Sequence, residues 1–144
     1  MKYKPHLIYA AKIICVSILL VVTCSCGSAK MTEYYSNKEN YINAVGTVSY
    51  IKYNEDSTVL YVGFSELSPT FDDTCFKLVS DNLKIAQSNN IDGMLCVGKQ
   101  ITFMTAPKYF GDGYVMPIVA ISIDGEVILS FDQGYENLIN WLSK

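Results

Sequence analysis

Apolar residues are spread along this chain in two different ways. From Leu7 to Val22 they form a nearly continuous block, broken by the charge of Lys12. Beyond residue 40 they come in short runs at strand-like spacing, separated by Gly, Pro, Asn and Asp. Asn43 to Tyr53 is rich in Val, Ile, Thr and Tyr and reads as a strand. Its alternation slips between Val48 and Ile51, which predicts a bulge or a strand serving two sheets. Asn54-Glu55-Asp56-Ser57 reads as a turn, and Thr58 to Phe64 as a second strand forming an antiparallel hairpin with the first.

Glu66 to Asp73 reads as loop, and Cys75 to Val79 as a third strand. Ser80-Asp81-Asn82 offers helix N-caps before Leu83 to Ser88, and Asn89-Asn90 with Asp92-Gly93 marks that helix's end. Lys99 to Thr105 alternates as a fourth strand. Phe110-Gly111-Asp112-Gly113 has the composition of a hairpin turn, followed by a long fifth strand over Tyr114 to Ile123. Pro117 inside it requires a sheet edge or a bulge, because proline donates no ladder bond. Asp124-Gly125 is the clearest hairpin dipeptide, leading to Glu126–Phe131 with Val127, Leu129 and Phe131 on one face. In Gln133 to Leu142, the positions Tyr135, Leu138, Ile139 and Leu142 follow the i, i+3, i+4, i+7 stripe of an amphipathic helix, with Trp141 beside it. Glu33 to Tyr41 is polar and tyrosine-rich and fits a short helix or an extended arm equally well.

The predicted domain is mainly β with two helices. Three strands, a helix and two strands, extended by one more strand and a closing helix, resemble an OB-fold, a small closed or partly open Greek-key barrel. The stretch Leu95-Cys96-Val97-Gly98-Lys99-Gln100-Ile101-Thr102-Phe103 is similar to the entry of many OB-folds into their fourth strand. A different small barrel or half-barrel satisfies the same order. The OB-fold resemblance implies a ligand face on the second and third strands, which carries over here to Tyr61, Phe64, Phe76 and Lys77. Tyrosines of small barrels also serve as structural amphiphiles.

The N-terminal block has the three parts of a secretory signal: a basic start at Lys2 and Lys4, an apolar middle and a small-residue end. As a signal helix it is short and interrupted for a span of about 20 apolar residues, although an uncleaved anchor is the alternative. Its end, Val22-Thr23-Cys24-Ser25-Cys26-Gly27-Ser28, resembles the lipobox of bacterial lipoproteins. That resemblance implies cleavage before Cys26 and diacylglycerol on its thiol. Cys24 is the rival site, with better apolar positions before it but the branched Thr23 at the cut. Two or more acyl chains hold a protein firmly where one does not. The chain therefore divides into a signal peptide over residues 1–25, the lipidated cysteine and a tether over 26–42, and the β domain over 43–144. The expected address is the extracytoplasmic face of a cell membrane.

Charge narrows the partners. All fourteen Asp and Glu follow Cys26, against eight of the eleven lysines, so the exported part carries a net −6. There is no arginine, the usual reader of phosphates and guanines. This balance disfavours nucleic acid as a partner. An envelope protein or polymer, together with the membrane itself, fits the address better.

Catalytic candidates are few. The one histidine, His6, lies in the leader, so His-dependent triads and His-based metal sites are excluded from the exported part. Cys75 and Cys96 are open to three readings: a disulfide, buried apolar residues, or a reactive thiol. Asp72-Asp73, Asp92 and Asp112 follow no calcium-loop spacing and read as solvated turns. No metal or cofactor is expected. The sequence favours a binding or scaffolding module; the alternative is a small envelope enzyme working through carboxylates without histidine.

Overall fold

The computed structural model describes residues 29–108, 110 and 116–144. The leader with Cys24 and Cys26, and the expected turn at Gly111-Asp112-Gly113, lie outside the described residues. Among the described residues no helix is long and apolar enough to cross a membrane.

Residues 29–36 are helical (α1), and a single 3-10 turn over Lys38–Asn40 follows. Among the described residues six strands come next: β1 (Ile42–Tyr53), β2 (Val59–Ser68), β3 (Cys75–Val79), β4 (Gln100–Thr105), β5 (Ile118–Ile123) and β6 (Glu126–Leu129). Helix α2 (Ser80–Ser88) and the short α3 (Ile91–Met94) separate β3 from β4, and α4 (Phe131–Leu142) closes the chain. The strands form one antiparallel sheet in the order β3-β2-β1-β4-β5-β6. Among the described residues the sheet is not closed by a ladder. The middle of β3 meets the approach to β5 at an isolated parallel bridge, Lys77 with Pro117, where the Lys77 N–H donates to the Met116 carbonyl at 3.2 Å. Pro117 thus stands at the start of β5, where no N–H is required of it.

β1 reads as expected of its broken alternation. Its register against β2 shifts between Thr47 and Val48 and again between Val48 and Tyr50. The irregularity bends the strand so that Ile42 to Thr47 pair with β4 and Val45 to Tyr53 with β2. The Asp124-Gly125 turn is also as predicted, with both residues at positive φ (54° and 84°), the geometry of a tight hairpin.

Several boundaries differ. β2 runs on to Ser68, through residues whose polarity suggests loop, because Glu66, Leu67 and Ser68 pair with Thr47, Gly46 and Val45 of β1. The predicted caps of α2 make no capping bond: Val79 is the capping residue, and Asn82 is buried and turned toward α4. The face predicted for β6 is shifted by a register irregularity between Ile121 and Ser122. Ile128 and Leu129 are buried while Val127 is exposed, and Phe131 belongs to α4.

The largest correction concerns the expected tether over residues 26–42. Its described part, from residue 29, packs onto the domain. Met31, Tyr35 and Tyr41 are buried with Ala106, Val119 and Leu138 in a second, smaller core between α1, α4 and the outer side of β5. The Tyr35 hydroxyl donates to the Lys108 carbonyl at 2.9 Å and the Tyr41 hydroxyl to the Tyr35 carbonyl at 2.7 Å. Burial pushes both phenols well above their ordinary range, so both stay protonated donors. Polarity and tyrosine content hid this because a tyrosine buries its ring while its hydroxyl bonds to backbone. β5 is consequently covered on two sides, which accounts for its unbroken apolar run.

The main core lies between the sheet and the helices α2 and α3. Phe64, Phe76 and Phe103 meet there, with Leu83 and Ala86 of α2 and Ile91 of α3 packed into the same cluster.

Candidate functional site

Alternation along β2 and β3 divides the four residues of the predicted ligand face. Phe64 and Phe76 point inward and are 3% and 0% exposed, so neither can meet a ligand. Their rings lie 5.5 Å apart, each within 5.0 Å of the Phe103 ring by centroid. Tyr61 and Lys77 are opposite each other across the β2–β3 ladder and face the other way. The Lys77 ammonium stands 5.2 Å from the centre of the Tyr61 ring, a cation–π contact. This outward side continues into an open pocket of about 400 Å³.

Three parts of the fold build the pocket. The β1–β2 turn contributes Ser57 and Thr58, β2 and β3 contribute Val59, Lys77 and Val79, and the helices contribute Lys84, Gln87 and Trp141. The turn is held by Asn54. Its side-chain oxygen accepts from the Thr58 and Val59 N–H groups at 2.7 and 2.8 Å, and its amide donates to the Thr58 hydroxyl at 2.9 Å. Such an Asx arrangement replaces backbone bonds the turn cannot make itself.

Trp141 reaches the pocket because α4 is clamped onto β5 and α2. Gly134 comes so near β5 that a Cβ there would lie 1.9 Å from the Val119 carbonyl oxygen. The buried Asn82 amide donates to the Gly134 carbonyl at 2.9 Å, and the Asn137 amide donates to the Asn82 side-chain oxygen at 3.0 Å. Two asparagines thereby lock the helices at one angle. Lys84 pairs with Asp81 at 2.8 Å on the exposed rim, a contact of small energetic weight.

The lining combines ammonium, hydroxyl and amide groups with apolar walls and one indole. Among the described residues that line it there is no carboxylate and no imidazole. Its chemistry is suited to holding a molecule that has an acceptor-rich end and a flat or apolar body. Sequence reasoning reached Lys77 and Tyr61. It missed Ser57, Thr58, Gln87 and the part played by Trp141, since these converge only through tertiary packing. The glycine at the start of an amphipathic helix was the available hint.

Cys75 and Cys96 both carry free thiols, and the structure does not join the pair. Cys96 is exposed. Cys75 is half-buried, and burial, then the Asp73 carboxylate, push its thiol up, with Lys77 opposing. A soluble thiol reagent at pH 8 is expected to modify Cys96 about tenfold faster than Cys75. Peptide mass mapping over time measures this, and equal rates would contradict the burial difference. Of the aspartates, Asp73 accepts from the Cys75 N–H at 3.0 Å and Asp92 from the Tyr53 hydroxyl; Asp112 lies outside the described residues. Among the described residues no group of three or more His, Cys, Asp or Glu is placed to hold a metal ion.

No family model, curated protein or solved structure matches this chain. The functional reading therefore rests on its own residues.

Proposed function

We propose that this chain is an OB-fold-like binding module, held at the extracytoplasmic face of a membrane by a lipid on Cys26. The observation that carries the binding reading is the position of the pocket. It lies on the outward side of β2 and β3 and under the β1–β2 turn, the surface through which OB-folds usually bind. The strand order β3-β2-β1-β4-β5, the helix between β3 and β4, and the parallel bridge from β3 to the start of β5 support a partly open barrel of this kind. β6 and α4 are additions to that plan. The anchor rests on the lipobox-like Thr23-Cys24-Ser25-Cys26 at the end of the leader.

The ligand class that suits the lining is a carboxylate or phosphate joined to a planar or apolar segment. Trp141 is the chain's single tryptophan and lines the pocket, so it is a native reporter. Titration with an aryl carboxylate is expected to change its emission saturably, and Lys77→Gln to weaken the effect about tenfold, the weight of a hydrogen bond to a charged group. No response across aryl carboxylates, phosphates and their neutral analogues would overturn the binding reading. The anchor is tested separately by mass spectrometry of the mature N-terminus from expressing membranes, with Cys26→Ala and Cys24→Ala beside the wild type. The expected species begins at Cys26, carries diacylglycerol and disappears in Cys26→Ala alone. An unmodified chain beginning near Met1 would eliminate the anchor.

A further inference from the structure

Only Gly27 and Ser28 separate Cys26 from Ala29, the first described residue of α1. Three extended backbone steps reach at most about 11 Å. On the anchor reading, diacylglycerol on the Cys26 thiol holds that residue at the boundary of headgroups and acyl chains. The headgroup layer itself is roughly 5–8 Å deep on each side. The start of α1 therefore lies at the membrane surface, because the packed helix leaves no long tether to carry the domain away.

The side of α1 that flanks its buried face fits such a surface, with Tyr34 and Phe110 packed in part against the second core. Met31 and Tyr35 turn into the domain, whereas Lys30, Glu33, Tyr34 and Asn37 line an open groove of about 480 Å³. Lys108 and Phe110, beyond the end of β4, complete its wall. The Lys108 ammonium sits 5.0 Å from the centre of the Tyr34 ring and 5.1 Å from that of Phe110, whose rings are 5.5 Å apart. Aromatic rings beside lysines, each with an apolar body and a polar tip, are the combination that settles at headgroup level. Among the described residues that line it, Lys30 and Lys108 stand against one carboxylate, Glu33, on a domain that is otherwise acidic.

We propose that this groove is a headgroup-binding face, in which Lys30 and Lys108 hold the phosphate of a membrane phospholipid and Tyr34 and Phe110 lie against the interface. It gives the lipid-anchored domain one orientation. The proposal rests on the lipid at Cys26.

The test uses the full wild-type protein, purified from membranes and reconstituted into phosphatidylglycerol-containing vesicles or into micelles of a sugar-headgroup detergent that lacks phosphate. Lysines are acetylated with a soluble, membrane-impermeant reagent, and the rate at each site is read by peptide mass. Lys30 and Lys108 are expected to react about fivefold more slowly in vesicles, in line with the attraction of one lysine to an anionic headgroup surface. Lys52 and Lys84, also exposed, are the controls and keep their micelle rates. If Lys30 and Lys108 label at the micelle rate in vesicles, or all four slow alike, the face is wrong. The same digest reports the N-terminus. A lipid-free N-terminus removes the anchor and this face together, whereas a lipidated Cys26 with unprotected Lys30 and Lys108 overturns the face alone.

Discussion

Gly134→Ala is expected to lower the melting temperature of the protein by about 10 °C or more, although alanine is the better helix former. In an open helix the substitution would stabilise by about 1 kcal/mol. Here the added methyl would meet the Val119 carbonyl oxygen at 1.9 Å and its carbon at 2.7 Å. Those atoms belong to the backbone of β5, which is paired with β4 on one side and β6 on the other, so they cannot yield cheaply. Relief requires α4 to move outward. That movement stretches the Asn82 bond to the Gly134 carbonyl and opens the packing of Leu138 in the second core. Overpacking of this kind costs about 1–3 kcal/mol, and more when backbone must shift, so the net loss is about 3 kcal/mol. Thermal unfolding by circular dichroism measures it. Because Trp141 rides on α4, its emission is expected to shift to the red in the same variant. A melting temperature within a degree or two of wild type would show that α4 does not approach β5 as described.

Phe76→Ala carries the second large effect, a loss of about 3–5 kcal/mol. The ring is fully buried among Phe64, Phe71 and Phe103, with centroids 5.5, 5.6 and 5.0 Å away. Truncation leaves a cavity between β3, β2 and β4 that paired strands cannot collapse to fill. Tyr61→Phe, on the outward side of the same strand pair, removes only a hydroxyl and is expected to change stability by no more than about 0.5 kcal/mol. Urea unfolding separates the two: the midpoint falls for Phe76→Ala, with an unchanged slope, and stays for Tyr61→Phe. A fully stable Phe76→Ala protein that had lost only its ligand would return Phe76 to the binding face.

The division between Phe76 and Lys77 shows where sequence reasoning stopped. Strand composition identified β3, but five residues with apolar or long side chains at every position do not say which set faces the core. That choice follows from the pairing of Leu60 with Leu78 and Val62 with Phe76, which only the folded sheet specifies. Asn82 is a similar case. Asparagine ahead of an apolar run has the local chemistry of a cap, yet its side chain bonds to a carbonyl 52 positions away.

By itself, the sequence determined the elements whose signals are local. These are the β1–β2 hairpin, the bulge in β1, the Asp124-Gly125 turn, the helix between β3 and β4, and the amphipathic C-terminal helix. Turn chemistry and side-chain period act over a few residues and are legible there. Tertiary structure alone decided that residues 29–41 belong to the domain, that β2 extends to Ser68, and that Trp141 lines one pocket with Lys77 and the β1–β2 turn. Each depends on a contact with a distant part of the chain: Tyr35 with Lys108, Ser68 with Val45, and Gly134 with Val119. Burial and close approach are properties of two surfaces together, so no run of neighbouring residues encodes them alone.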